Sequence, residues 1–353
     1  MNASVSCHQP RRWCLLLPVL AGVLLAACGG GTRPQPPPQV VAPVQPDPVL
    51  PAPRIGLALG GGAAKGFAHI GVIKMLEANG LRPDVVAGTS AGSVVGALYA
   101  SGMDPFQLQE KAVALDEGSI RDVRLFSGGL VQGRALQDYV NDQVGKRPIE
   151  RLGVPFAAVA ARLETGERTV FVRGNTGQAV RASSSVPGVF EPVTIGQYQY
   201  VDGGVVSPVP VDAARQLGAD LVIAVDISSK AGGKRPDGML GIVNQSISIM
   251  GQRLGEQELA RAEVVIRPNV HDYGPADFTR RNQAIIEGEK AALAALPQIR
   301  AALAQLKAQR LQHARAEAAK RAAAQAPELP PCEPRPRWNP FAADAGDCTP
   351  VAR

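Results

Sequence analysis

Aromatic residues make up only 4% of this 353-residue chain, and histidine occurs four times. So few rings cannot build the stacking platforms that grip single-stranded nucleic acid. The formal net charge is a modest +6, and two of those charges, Arg11 and Arg12, fall in an N-terminal leader. Nucleic acid is therefore not an expected partner, whereas a basic surface facing anionic lipid stays open. Cysteine is scarce as well. Cys7 and Cys14 lie in the leader, Cys28 closes it, and Cys332 and Cys348 sit in the tail. Between Cys28 and Cys332 there is no thiol, no C-x-x-C pair and no Cys/His cluster, so no metal is expected; nor is a cofactor. In an oxidising compartment Cys332 and Cys348 are candidates to close a small loop.

Long apolar runs are missing too. The one from Trp13 to Leu25 is too short for a membrane span and contains Pro18. Behind Arg11-Arg12 it suits a secretory leader. Leu25-Ala26-Ala27-Cys28 resembles the bacterial lipobox, whose cysteine is lipidated and becomes the mature N-terminus; a plain signal peptide is the alternative. Gly29, rather than Asp, follows Cys28, and by that resemblance favours outer-membrane sorting, with the protein lipid-anchored in the cell envelope and facing the periplasm. The organisation expected is a leader over 1–27, a Pro-rich tether over 28–53, a folded body over 54–270, a helical extension over 271–325 and a Pro-rich tail over 326–353.

Hydrophobic residues at 45% permit a sizeable core, and the body alternates short apolar runs with helical patterns, which predicts an α/β fold. Strands are expected at Ile55–Leu59, Val85–Gly88, Pro155–Ala161, Arg168–Val172, Asp220–Asp226 and Glu263–Arg267. Helices are expected over Phe67–Asn79, from Ala91, over Gln107–Leu115 and Arg134–Val144, and around Leu240–Ala260. Two more are expected over Phe278–Ala295 and Ile299–Gln325, separated by Pro297. The stretch from Asp104 to Gly153 is a candidate for part of a substrate mouth.

Three pieces carry chemistry. Gly88-Thr89-Ser90-Ala91-Gly92 has the G-x-S-x-G spacing of a nucleophile elbow, where a strained strand-to-helix turn lifts a serine hydroxyl clear of the backbone. Glycine suits the flanks because it tolerates tight turns and positive φ, and the helix from Ala91 aims its N-terminal amides above Ser90. The second piece, Gly60-Gly61-Gly62-Ala63-Ala64-Lys65-Gly66, also lies between a strand and a helix. A dinucleotide site wants an acidic residue at the end of the second strand, where Gly88-Thr89-Ser90 stands instead; a P-loop wants Ser or Thr after its lysine, where Gly66 stands. An oxyanion hole using free amides of Gly61 and Gly62 is the third reading. Lys65 either adds positive potential there or lies on the surface, and His69 reads as a helix-packing residue. The third piece, Asp202-Gly203-Gly204, is either a hairpin turn or a carboxylate fixed at a strand end with glycines allowing close approach to Ser90. Ser183, Ser184 and Ser185 read as helix-end and loop residues.

In this order the three pieces resemble the patatin-like phospholipase family. The resemblance spans about residues 54–228, including the Pro187-Gly188-Val189-Phe190-Glu191-Pro192 run, and up to Leu303 it is to the bacterial branch related to neuropathy-target-esterase catalytic domains. It implies a three-layer α/β/α sandwich with a mainly parallel central sheet. By the same resemblance Ser90 is the nucleophile of a Ser–Asp dyad, Asp202 its partner, and Gly60, Gly61 and Gly62 the oxyanion loop. Lys65 is then that loop's basic residue, and Gly88, Gly92, Gly203 and Gly204 are motif glycines. The implied activity is hydrolysis of acyl esters of membrane lipid, phospholipid or lysophospholipid. Two positions depart from the pattern: Ala63 stands where many members carry a fourth glycine, and Arg162 where many carry an acid. Two alternatives stay in view, a Ser–His–Asp hydrolase using His271 and a non-catalytic envelope scaffold with the same fold.

Overall fold

The computed structural model describes residues 47–116, 118, 131–228 and 238–325. The expected leader, Cys28 with the lipobox-like run before it, most of the expected tether, Cys332, Cys348 and the Pro-rich tail lie outside the described residues. Eight strands are described: β1 (Ile55–Leu59), β2 (Val85–Thr89), β3 (Phe156–Arg162), β4 (Arg168–Phe171), β5 (Val193–Ile195), β6 (Tyr198–Asp202), β7 (Leu221–Val225) and β8 (Val264–Ile266). The helices are α1 (Phe67–Ala78), α2 (Ala91–Ala100), α3 (Pro105–Ala114), α4 (Arg134–Gln143), α5 (Thr176–Ser183), α6 (Val211–Gln216), α7 (Gly238–Leu259) and α8 (Arg281–Gln325).

All eight strands form one sheet, ordered β5-β6-β3-β2-β1-β7-β8, with β4 also paired to β3. The pairs β3–β2, β2–β1, β1–β7 and β7–β8 are parallel. Antiparallel pairing is confined to β3–β4, β3–β6 and β5–β6. Every residue of β1, β2 and β7 is buried, as an unbroken apolar run requires of a parallel strand covered on both faces. Alternate side chains still enter different layers. Leu57, Leu59, Val86, Phe156, Ile223 and Val225 share a core with α1 to α5 and α8. Ala58, Val85, Ala87, Val159, Val222 and Ala224 pack instead on α6 and Leu259 of α7. The result is the three-layer α/β/α sandwich with a mainly parallel sheet. The chain leaves β1 for β2 on one side and returns as β7 on the other, so the strand order reverses at β1. The carboxyl ends of such strands bound a ready-made crevice.

One expectation changes, and one of two open readings falls away. Pro297 does not interrupt the C-terminal helix, which runs unbroken as α8. A proline there removes one intrahelical bond and frees the Leu293 carbonyl, but both residues are exposed, so water can satisfy that oxygen. Asp202-Gly203-Gly204 is also no hairpin: Gly203–Val205 forms a single 3-10 turn on the way to α6. The first half of α8 lies directly on α1, where Gly71 and Gly288 bring backbone against backbone. A Cβ on Gly71 would stand 1.9 Å from the Ile285 oxygen, and one on Gly288 would stand 2.0 Å from the Ala68 oxygen. The C-terminal helix thus shares the core of the body.

Candidate active site

Ser90 stands between the end of β2 and the start of α2, with φ 53° and ψ −123°. A side chain in that left-handed region costs roughly 1–2 kcal/mol and persists only where the surroundings dictate it. They do so here through Gly88 and Gly92. A Cβ on Gly88 would lie 2.4 Å from the Gly92 carbonyl oxygen, and one on Gly92 would lie 2.1 Å from the Leu59 carbonyl oxygen. Neither glycine has positive φ. They serve close approach, and the unusual dihedral falls on the serine itself. The amide of Ser90 donates to Ser183 Oγ at 2.9 Å, and that hydroxyl donates onward to the Val159 carbonyl at 2.6 Å. Ser183, which reads from sequence as a mere helix-end residue, pins the elbow to α5 and β3.

Register brings Asp202 level with Ser90. Thr89 pairs with Val159 across β2–β3, and the next residue, Ala160, pairs with Asp202 across β3–β6. Both side chains are buried, Ser90 at 8% exposure and Asp202 at 5%. Asp202 Oδ1 accepts from the Gly204 amide at 2.7 Å, while Oδ2 is buried with no formed hydrogen bond among the described residues. Burial pushes the Asp202 carboxyl up to about 6, against the opposing pull of the Ser90 hydroxyl and the Gly204 amide. The Ser90 hydroxyl thus lies beside this carboxylate and favours its charged form.

The glycine loop departs from expectation. Gly60 donates its amide to Val225 and Gly61 donates to Pro208, each at 3.0 Å. The first continues the β1–β7 ladder beyond β1, and the second ties the loop to the segment before α6. Gly61 therefore has no amide to offer a substrate. Among the described residues no carbonyl accepts from the Gly62 or Ala63 amides. Ala91, the first residue of α2, has no intrahelical acceptor for its N–H either. Ala63, at φ 50°, is a second left-handed residue. Lys65 is not on the surface: it is 1% exposed, and burial lowers its ammonium to about 8 against the attraction of Asp226. His69 is wholly buried, and its Nε2 lies 2.8 Å from the Gly60 carbonyl oxygen. Burial lowers it to about 4, so the ring is neutral at pH 7, with Nε2–H donating to Gly60 and Nδ1 bare. It braces the loop from behind.

Above Ser90 opens a cavity of about 190 Å³, walled by Phe67, Val94, Leu98, Leu108, Leu136 and Phe190 among others, with Ala63 and Ala91 beside the serine. Leu108 and Leu136 come from α3 and α4, inside the stretch expected to form the substrate mouth. His271 is about half exposed and faces Asp272 at 3.6 Å; no hydrogen bond or ion pair among the described residues joins it to Ser90 or Asp202. Arg162 pairs with Glu167 at 2.7 Å and covers the Tyr198 ring, a local packing role. No group of three His, Cys, Asp or Glu side chains among the described residues is placed to hold a metal ion.

The family model described as patatin-like phospholipase matches residues 57–215. An uncharacterized NTE family protein of Mycobacterium tuberculosis is 37% identical over 189 residues, covering 53% of this chain and 52% of the relative. The lysophospholipase NTE1 of Pyricularia oryzae is 30% identical over 278 residues, covering 70% of this chain and 18% of the relative. The chain thus spans about half the length of the mycobacterial relative and a smaller part of the fungal one. Among solved structures, VipD from Legionella pneumophila aligns with a TM-score of 0.48 at 15% identity, covering 70% of this chain and 67% of that one. On the family match and its NTE relatives, residues 57–215 of the chain form a patatin-like phospholipase domain.

Proposed function

We propose that the protein is a serine carboxylic-ester hydrolase acting on acyl esters of membrane lipid, with Ser90 as nucleophile and Asp202 as base. The observation that supports it best is a strained serine facing a buried carboxylate whose second oxygen has no other partner among the described residues. A carboxyl near 6 is charged at neutral pH yet basic enough to receive a hydroxyl proton. As Ser90 Oγ bonds to the ester carbonyl carbon, its proton passes to Asp202 Oδ2 and the carbonyl oxygen gains the negative charge. The amides of Gly62, Ala63 and Ala91 are the donors available to hold that oxyanion, at the positive end of α2. Collapse expels the alcohol, which takes the proton from Asp202. Water then attacks the acyl-serine by the same route, regenerating both residues. The apolar cavity suits a hydrocarbon chain. On this reading the leader, Cys28 and the tether hold the enzyme at a lipid surface, anchored in the outer membrane and facing the periplasm.

The test is fluorophosphonate labelling with mass-spectrometric mapping, followed by hydrolysis of a phospholipid and lysophospholipid panel. Label on Ser90, and a fall of about a thousandfold or more in Ser90→Ala, are expected. His271→Ala should stay within about twofold of wild type; collapse of that variant with its fold intact would instead favour a histidine-based triad. A folded protein inert to the panel and the probe would leave only the scaffold.

A further inference from the structure

Three residues before α6, Ser207, Pro208 and Val209, form no regular structure, yet every piece of the site touches them. The Ser207 carbonyl accepts from Thr89 Oγ1 at 2.8 Å, one residue before the nucleophile. The Pro208 carbonyl takes the Gly61 amide at 3.0 Å, and the Ser207 amide donates to the Gly203 carbonyl at 2.7 Å, one residue after Asp202. Elbow, glycine loop and dyad turn are therefore aligned through one short segment. What fixes the segment comes from α7, in the same layer as α6. Glu258, near the end of α7 and 4% exposed, accepts from Ser207 Oγ at 2.5 Å through one oxygen and from the Val209 amide at 2.9 Å through the other.

The carboxylate is an expensive way to fill that space. Arg168 is 3.9 Å away, but it is closer to Asp212, at 3.0 Å, and Asp212 is also held by Arg261. Glu258 thus has only part of a counter-ion, and burial pushes its carboxyl up to about 7. A buried carboxylate with part of a counter-ion is weak evidence of a role in stability alone. Two acceptor oxygens held rigidly apart do what an apolar side chain cannot, which is to fix the segment's position along the sheet end.

We propose that Glu258 is a positioning residue for the hydrolase reaction, a clamp on Ser207 and Val209 that sets Ser90, Asp202 and the glycine loop against one another. It rests on the dyad reading above. Pro208 has no N–H and the Ser207 amide is already engaged by Gly203, so Ser207 Oγ and the Val209 amide are the donors left to grip. Glu258 and the segment do not wall the cavity, so chemistry depends on the clamp while acyl binding does not.

The experiment compares the full chain with Glu258→Ala, Glu258→Gln, Ser207→Ala and Thr89→Val. It measures kcat and KM on p-nitrophenyl butyrate, thermal unfolding, and amide hydrogen exchange. Glu258→Ala is expected to lower kcat about a hundredfold, the loss typical of a misplacement near 1 Å, with KM within about threefold. Glu258→Gln, whose amide can accept from Val209 and donate to Ser207 Oγ, should restore kcat to within about fivefold of wild type. Exchange should quicken over residues 58–66 and 86–93 but not over 154–160. Should Glu258→Ala fail to fold, Ser207→Ala and Thr89→Val each remove one bond of the same chain and should lower kcat about tenfold. A folded Glu258→Ala with wild-type kcat and unchanged exchange overturns the clamp, as does equal loss in the Ala and Gln variants. If Ser90→Ala keeps its activity the dyad reading fails, and exchange alone then decides whether the clamp exists.

Discussion

The chain passes from a parallel strand into a helix twice beside the site, and uses glycine differently each time. After β2, Gly88 and Gly92 delete side chains where backbone meets backbone, and the left-handed residue is the serine between them. After β1, Gly60 and Gly61 stay within hydrogen-bonding reach of β7 and Pro208, and the left-handed residue is Ala63, further along the loop. Backbone crowding is thus tightest at the elbow, whereas in the loop, where a Cβ on Gly60 would stand 2.9 Å from the Val225 oxygen, crowding is joined by hydrogen bonds to β7 and Pro208. In the first, strain presents a reactive hydroxyl; in the second, fixing two amides frees the following ones.

The contrast breaks most sharply at Gly92. A methyl group there meets the Leu59 carbonyl with no flexible neighbour to yield, so Gly92→Ala should lose more than about 4 kcal/mol or fail to fold, as read by urea unfolding. Wild-type stability in that variant would mean the elbow is not sterically defined.

Next in size is the carboxylate the elbow faces. Asp202 has a folded value of about 6 against an ordinary 3.8, so its charged form destabilises the protein. That cost is complete above pH 6 and absent below about pH 4, and two units correspond to about 3 kcal/mol. Asp202→Asn should therefore be more stable than wild type at pH 8 by up to that amount, with the advantage gone at pH 4, while its hydrolysis falls at least about a hundredfold. Wild-type kcat should drop about tenfold per unit below pH 6. An activity flat to pH 4.5 would remove Asp202 as the base.

The smallest effect belongs to Ala63. Glycine at φ 50° escapes a penalty of about 1 kcal/mol but loses more freedom on folding. Ala63→Gly should gain about 0.5 kcal/mol, with hydrolysis within about twofold of wild type. A large change in rate would show that strain at Ala63, like that at Ser90, belongs to the chemistry.

Much of this was legible in the sequence. Unbroken apolar runs marked β1, β2 and β7, and G-x-S-x-G located the elbow, because burial on both faces and steric crowding restrict composition locally. What stayed hidden depends on partners far along the chain. Whether Gly61 has a free amide is settled by Pro208, and Ser183 gains its role only because α5 ends beside β2. Serine so placed carries no local signature. Pro297 misled for a related reason: a helix break is a local rule, and the exposure of Leu293 that relaxes it is a property of the packed molecule.

The crossing of α1 and α8 at Gly71 and Gly288 has a bearing on how this protein can change. Where two side chains meet, enlargement of one is matched by reduction of the other, and lineages drift through such exchanges. Here each glycine abuts the other helix's main chain, so nothing on the facing side can shrink in reply. The two positions are frozen independently rather than free to co-vary, and α1, which opens just after the glycine loop, inherits that rigidity from a helix more than two hundred residues downstream.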